Sequence, residues 1–175
     1  YVTLTTSIDT TLERGKTNTE ALVMGAPNSS LVIGDLEPTT TTKTMVFDGK
    51  KDQFQDKTTD AVIVSTGYDF ISCSNVMVKN NRNNKTGYGG GISLIFPYKA
   101  SYTSTDEISA VGIDGTIVMN CESTLDGGGI YVGGTFANFE CGFALNISNC
   151  KAGGNGGGIA IDAGNNQPVQ TVRTN

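Results

Sequence analysis

Apolar and polar residues alternate in three short runs of this chain, Ile92-Ser93-Leu94, Ile130-Tyr131-Val132 and Ile159-Ala160-Ile161. A period of two predicts β-strands with one buried face. Each run follows a triple glycine: Gly89, Gly90 and Gly91; Gly127, Gly128 and Gly129; Gly156, Gly157 and Gly158. A second apolar stretch precedes each cluster, over 75–80, 115–121 and 145–150, and ends at or beside Asn80, Asn120 or Asn149. The predicted unit is therefore strand, asparagine corner, short arc, triple glycine, strand. Successive clusters begin 38 and 29 residues apart, within the range of about 20 to 50 residues typical of repeat architectures. The corner asparagine precedes the first glycine by 9, 7 and 7 residues, so the first unit carries a two-residue insertion that should bulge outward.

Weaker apolar segments at 21–24, 30–33, 44–47 and 61–64 predict further strands of the same stack, and the opening 1–4 reads as another. Residues 12–22 have some helical spacing, which Gly15 weakens. The stretches 38–43 and 96–107 read as loops between units, and 169–172 as a final strand. No composition break divides the chain. One domain over 1–175 is expected, with weaker coils in 1–69 and clear repeats in 70–162; the final segment has no polar cap, as in a piece of a longer solenoid.

Two-residue hairpins need Asn-Gly or Asp-Gly between equal strands, and Asp48-Gly49, Asp114-Gly115 and Asp126-Gly127 are not so placed. Recurrent corners that demand positive φ suit Gly and Asn. The expected fold is all-β, a parallel β-helix or β-solenoid whose strands stack at about 4.8 Å. Asn80, Asn120 and Asn149 are either members of a hydrogen-bonded asparagine ladder or ordinary turn residues.

Composition narrows the function. The chain has 175 residues, 23 of them Gly, with 17% charged residues, no Trp and no His, a balance of turns rather than helices. A net charge of −5 with dispersed Lys and Arg argues against nucleic acid. No apolar run approaches the roughly 18 residues of a membrane span, and the first residues do not resemble a signal segment, which a precursor would already have lost. An extracellular or cell-surface location is expected.

Four cysteines stand at 73, 121, 141 and 150. Cys121 and Cys150 each follow a corner asparagine, so neighbouring coils would bring them within the roughly 4.4 to 6.8 Å Cα separation of a disulfide; the alternative is a stack of buried thiols. Cys73 and Cys141 cannot meet if one coil intervenes. Asn28, Asn84 and Asn146 open glycosylation sequons, with Asn84 in a polar loop and Asn146 on the outer face of a strand.

Many parallel β-helices cut polysaccharides, and Asp114, Glu122, Asp126 and Asp162 are the acids to weigh. They do not form the clustered carboxylates with a nearby base that a Ca²⁺-dependent lyase needs, so no catalytic, metal or cofactor residue is assigned. A polysaccharide lyase or hydrolase remains the alternative. The triple glycines precede no Lys-Ser/Thr, so they read as corners rather than phosphate loops.

The segment Phe143-Ala144-Leu145-Asn146, upstream of Gly156-Gly157-Gly158-Ile159, resembles the paired Phe-x-x-Asn and Gly-Gly-Ala-Ile motifs of the polymorphic outer-membrane protein repeats of surface autotransporters. The chain departs from them in having one Phe-x-x-Asn and Gly in place of Ala. The resemblance covers mainly 70–162 and implies a right-handed parallel β-helix acting in adhesion or as a structural surface component. Open end coils would invite end-to-end stacking by strand addition into a filament, so the expected partners are other copies of the chain, or host or surface glycans and proteins, with no cofactor.

Overall fold

A computed structural model describes residues 2–27, 29–34, 43–67, 69–73, 75–97, 110–134, 138–141, 144–162 and 171–174. Their strands fall into successive triplets: β1 (Val2–Leu4), β2 (Thr10–Glu13) and β3 (Val23–Gly25); β4 (Leu31–Gly34), β5 (Met45–Asp48) and β6 (Ile63–Ser65); β7 (Phe70–Cys73), β8 (Val76–Asn83) and β9 (Ile92–Ile95). Then follow β10 (Ala110–Ile113), β11 (Thr116–Ser123) and β12 (Ile130–Gly133); β13 (Asn138–Cys141), a middle member split into β14 (Asn146–Ser148) and β15 (Lys151–Ala152), and β16 (Ile159–Asp162); and, singly, β17 (Thr171–Thr174). One 3₁₀ turn, Lys51–Gln53, is the only helical element among the described residues.

Three sheets collect these strands. The first runs β1-β4-β7-β10-β13-β17, the second β2-β5-β8-β11-β14 with β15 also on β11, and the third β3-β6-β9-β12-β16. Every pairing between described strands is parallel. The chain visits the sheets in a fixed order and returns each time one strand further along, so the other two strands of a triplet supply the long crossover that a parallel pair requires. Ile130 pairs with Ile92 on one side and Ile159 on the other, which is the alignment expected from the repeats.

The repeats predict two strands per unit, whereas the structure holds three. The extra strand of each clear repeat lies in the first sheet, where Val111 pairs with Phe70 and Phe139. These segments share no motif, only an apolar residue at one register position. A second difference concerns the corners: β8 and β11 do not end at the asparagines but run through them to Asn83 and Ser123. The helical spacing of 12–22 yields no helix, since β2 takes Leu12 and the next element is β3.

The inward residues form one core, in which Phe47, Phe70, Ile63, Ile92, Val118, Ile130 and Val132 are fully or almost fully buried. Each such side chain stabilises the fold by roughly 1.5–3 kcal/mol relative to exposure. Between the second and third sheets the glycine arcs stack main chain on main chain. Gly90 N donates to Gly127 O at 3.0 Å and Gly128 N to Gly156 O at 3.0 Å. Gly89, Gly127 and Gly156 have φ of 73°, 70° and 64°, a conformation that other residues adopt only under strain.

Candidate functional site

The asparagine corners of the second sheet gather several interacting polar side chains. Asn80, Asn120 and Asn149 all adopt the left-handed conformation, with φ of 53°, 54° and 51°. The ladder offsets place them one above the next, since Met119 pairs with Lys79 and with Ser148. Asn120 Nδ2 donates to Asn80 Oδ1 at 2.8 Å, and Asn80 Nδ2 reaches both carboxylate oxygens of Asp48 at 3.3 Å. Asn80 and Asn120 are thus rungs of an amide ladder. Asn149 shares the backbone but is exposed, and Asn120 Oδ1 accepts from Lys51 Nζ at 2.7 Å.

Lys51 belongs to the long arc between β5 and β6. Lys50, with φ 53°, starts the 3₁₀ turn, and its amide donates to Asp48 Oδ1 at 2.9 Å. Phe54 pins the arc inward: it is 2% exposed and receives Arg14 Cζ and Lys57 Nζ at 5.8 and 5.4 Å from its ring centre, favourable cation–π distances. Held this way, the arc of the second triplet crosses the third. Lys51 reaches the fourth, where its ammonium also pairs with Glu122 Oε1 at 2.8 Å. That hydrogen bond holds the Glu122 carboxyl below its ordinary value, with the charges of Lys51, Arg82 and Lys151 acting in the same direction against partial burial.

Glu122 pairs in register with Arg82 on one neighbouring strand and Lys151 on the other, so charges alternate along the outer face. Beside them opens a cleft of about 430 Å³ lined by Lys51, Asp52, Gln55, Asp56, Arg82 and Glu122. Its lining is entirely polar, with two cations, three carboxylates and one amide. Comparison with known protein families, curated proteins and solved structures returned no match. The chemistry of this surface is therefore read from its own residues.

On the inner side of the same corner lie Asn81, Cys121 and Cys150. Cys121 pairs with Asn81, and the common offset of Met119 to Ser148 and Glu122 to Lys151 sets Cys150 beside Cys121. The two are free thiols in this structure, as is Cys141. Cys121 Sγ lies 3.3 Å from Met119 O, and Cys150 Sγ 3.3 Å from Ser148 O. The hydrogen bond between the thiols raises Cys121, which burial raises further, and lowers Cys150 to about 7, with the Lys51 charge assisting. Cys73 and Cys141 stand on β7 and β13, with β10 between them.

Asn81 is 1% exposed and fully engaged: Nδ2 donates to Asp60 O at 3.0 Å and Gly90 O at 2.6 Å, and Oδ1 accepts from Arg14 Nη2 at 3.1 Å. Arg14, also buried, donates to Asp60 O at 3.0 Å and to Glu20 O; desolvation lowers its pKa, opposed by the charges of Asp60 and Glu20. This strut links the first triplet to the third.

The remaining candidates are dispersed. Asp126 Oδ1 caps Asn155 N at 2.5 Å and Asp114 Oδ1 accepts from Gly115 N at 2.7 Å, both turn-forming roles. Asp162 ends β16 at the surface. Among the described residues no group of three or more His, Cys, Asp or Glu could hold a metal ion, and no helix is long and apolar enough to cross a membrane. Asn146 is exposed on β14. Asn84 is half-buried, with Oδ1 accepting from Thr59 N at 2.7 Å and Nδ2 donating to Lys57 O at 3.2 Å. Asn28 and Phe143 lie outside the described residues.

Sequence reasoning missed Lys51 and Arg14. Lys51 had a signal in the 14 residues between β5 and β6, an arc far longer than its counterparts and bearing an apolar Phe54. Arg14 had none, because the strand before it matches no repeat.

Proposed function

We propose that the chain is a right-handed parallel β-helix serving as an extracellular or cell-surface structural and adhesive component, akin to the polymorphic outer-membrane protein repeats and without catalysis. The observation that carries this reading is the continuous parallel ladder of three sheets, stacked through the glycine arcs as well as the strands. A backbone bonded along one direction resists bending, and repeat stacks of this kind present extended contact surfaces. The polar cleft beside Lys51 and the exposed Asn146 give that surface local character. Glu122, held ionised by Lys51, is poorly suited to donate a proton to a glycosidic oxygen, which asks for a raised carboxyl pKa.

The test is retention of fluorescent beads carrying the chain on arrays of surface polysaccharides and extracellular proteins, with a parallel assay for new reducing ends or unsaturated products. Selective retention without product supports adhesion. Release of sugar fragments, or uniform failure to adhere, contradicts it.

A further inference from the structure

We propose that Cys121 and Cys150 are a modification site, an oxidisable thiol pair that closes into a disulfide joining β11 to the corner before β15. Three observations converge on it. The shared ladder offset on both sides of the pair sets Cys150, in the corner between β14 and β15, level with Cys121 on β11, about one strand spacing of 4.8 Å away and within the Cα range of about 4.4 to 6.8 Å that the bond tolerates. Each follows an asparagine with nearly the same left-handed φ, 54° and 51°, so both side chains leave the corner in the same direction. Gly129 stands against Cys150, where a Cβ would crowd Sγ at 3.3 Å, so glycine leaves the sulfur unobstructed on that side.

Exposure sets the order of events. Cys121 is fully buried and Cys150 only half so, so an external oxidant meets Cys150 first. The Cys150 thiolate attacks one sulfur of a small disulfide such as oxidised glutathione, forms a mixed disulfide and expels one small thiolate. Cys121 then attacks the Cys150 sulfur, forms the protein disulfide and expels the second. The two protein thiol protons end on the two released thiols, and the small disulfide gains the two electrons. Lys51, anchored on Asn120 and Glu122, favours the Cys150 thiolate.

The full chain is incubated with oxidised glutathione, unfolded, blocked with iodoacetamide and mapped by mass spectrometry. A peptide pair linking 121 to 150 is expected. Cys121→Ala should stop at a glutathionyl adduct on Cys150, and Cys150→Ser, at the half-buried position, should leave Cys121 reduced and alkylatable, with circular dichroism showing that both variants keep the fold. Wild-type protein in which 121 and 150 stay alkylatable, or cross-link elsewhere, overturns the proposal.

Discussion

The arcs 127–129 and 156–158 carry the same three glycines but obey different constraints. A Cβ on Gly128 would lie 2.2 Å from Gly157 O and 2.5 Å from the carbonyl carbon of Lys151, whereas one on Gly157 would meet, among the described residues, nothing nearer than Cys150 O at 3.6 Å. The third positions differ likewise, with Gly158 O 2.8 Å from a Cβ on Gly129 and Ile147 Cγ2 3.5 Å from one on Gly158. The first positions do not differ: Gly127 and Gly156 both have positive φ. The first glycine of the motif is thus demanded by its own backbone, the second by the backbone of the next triplet. In third place a side chain is accommodated more easily at Gly158 than at Gly129.

Substitution should expose this contrast most strongly at the second position. Gly128→Ala is expected to cost about 3 kcal/mol or more, as overpacking against rigid main chain does, and Gly157→Ala less than about 1 kcal/mol, since a compatible backbone even gains from the change. Urea titration of both variants distinguishes them. The core should repeat the pattern: Ile130→Ala, at a site with no exposure, should lose about 2–5 kcal/mol. Ile159→Ala, half-buried at its equivalent, should lose about half as much in the same titration.

The corners make a finer contrast. Asn120→Ala loses both the residue's tolerance of left-handed φ, worth about 1–2 kcal/mol, and its side-chain bonds to Asn80 and Lys51, each worth about 0.5–1.5 kcal/mol. Asn149→Ala should lose the first alone, and Asn120→Gly the second alone, so thermal melting of the three separates the two contributions. The smallest effect belongs to Glu122. Lys51 depresses its folded pKa, so the pair stabilises the fold above the unfolded value of about 4.3, and that contribution fades as pH falls through the lower folded value. Its side chain is 40% exposed, so Glu122→Gln should cost only a few tenths of a kcal/mol at pH 7 and almost nothing at pH 2, as paired denaturant midpoints at the two pH values will show.

The readable part of the fold was the part where local chemistry repeats. Ile92, Ile130 and Ile159 align because each follows an arc whose first glycine has positive φ, and the asparagine corners recur because Asn tolerates the same backbone region. The first sheet was hidden because Phe70, Val111 and Phe139 need only be apolar, and a burial requirement leaves no motif. The polar surface was half readable: the asparagines were in sight, but Lys51 reaches Asn120 across an intervening strand, a contact between residues 69 positions apart that no local pattern encodes. The placement of Cys121 beside Cys150 followed directly once the corners were aligned.

Through-space NMR contacts between the δ1 methyl groups of Ile92, Ile130 and Ile159, assigned by single Ile→Val substitutions, test the stacking most directly. The parallel register predicts cross-peaks from Ile130 to both Ile92 and Ile159, and none between Ile92 and Ile159, two strand spacings or about 9.6 Å apart. Absence of both Ile130 cross-peaks in a folded sample would contradict it.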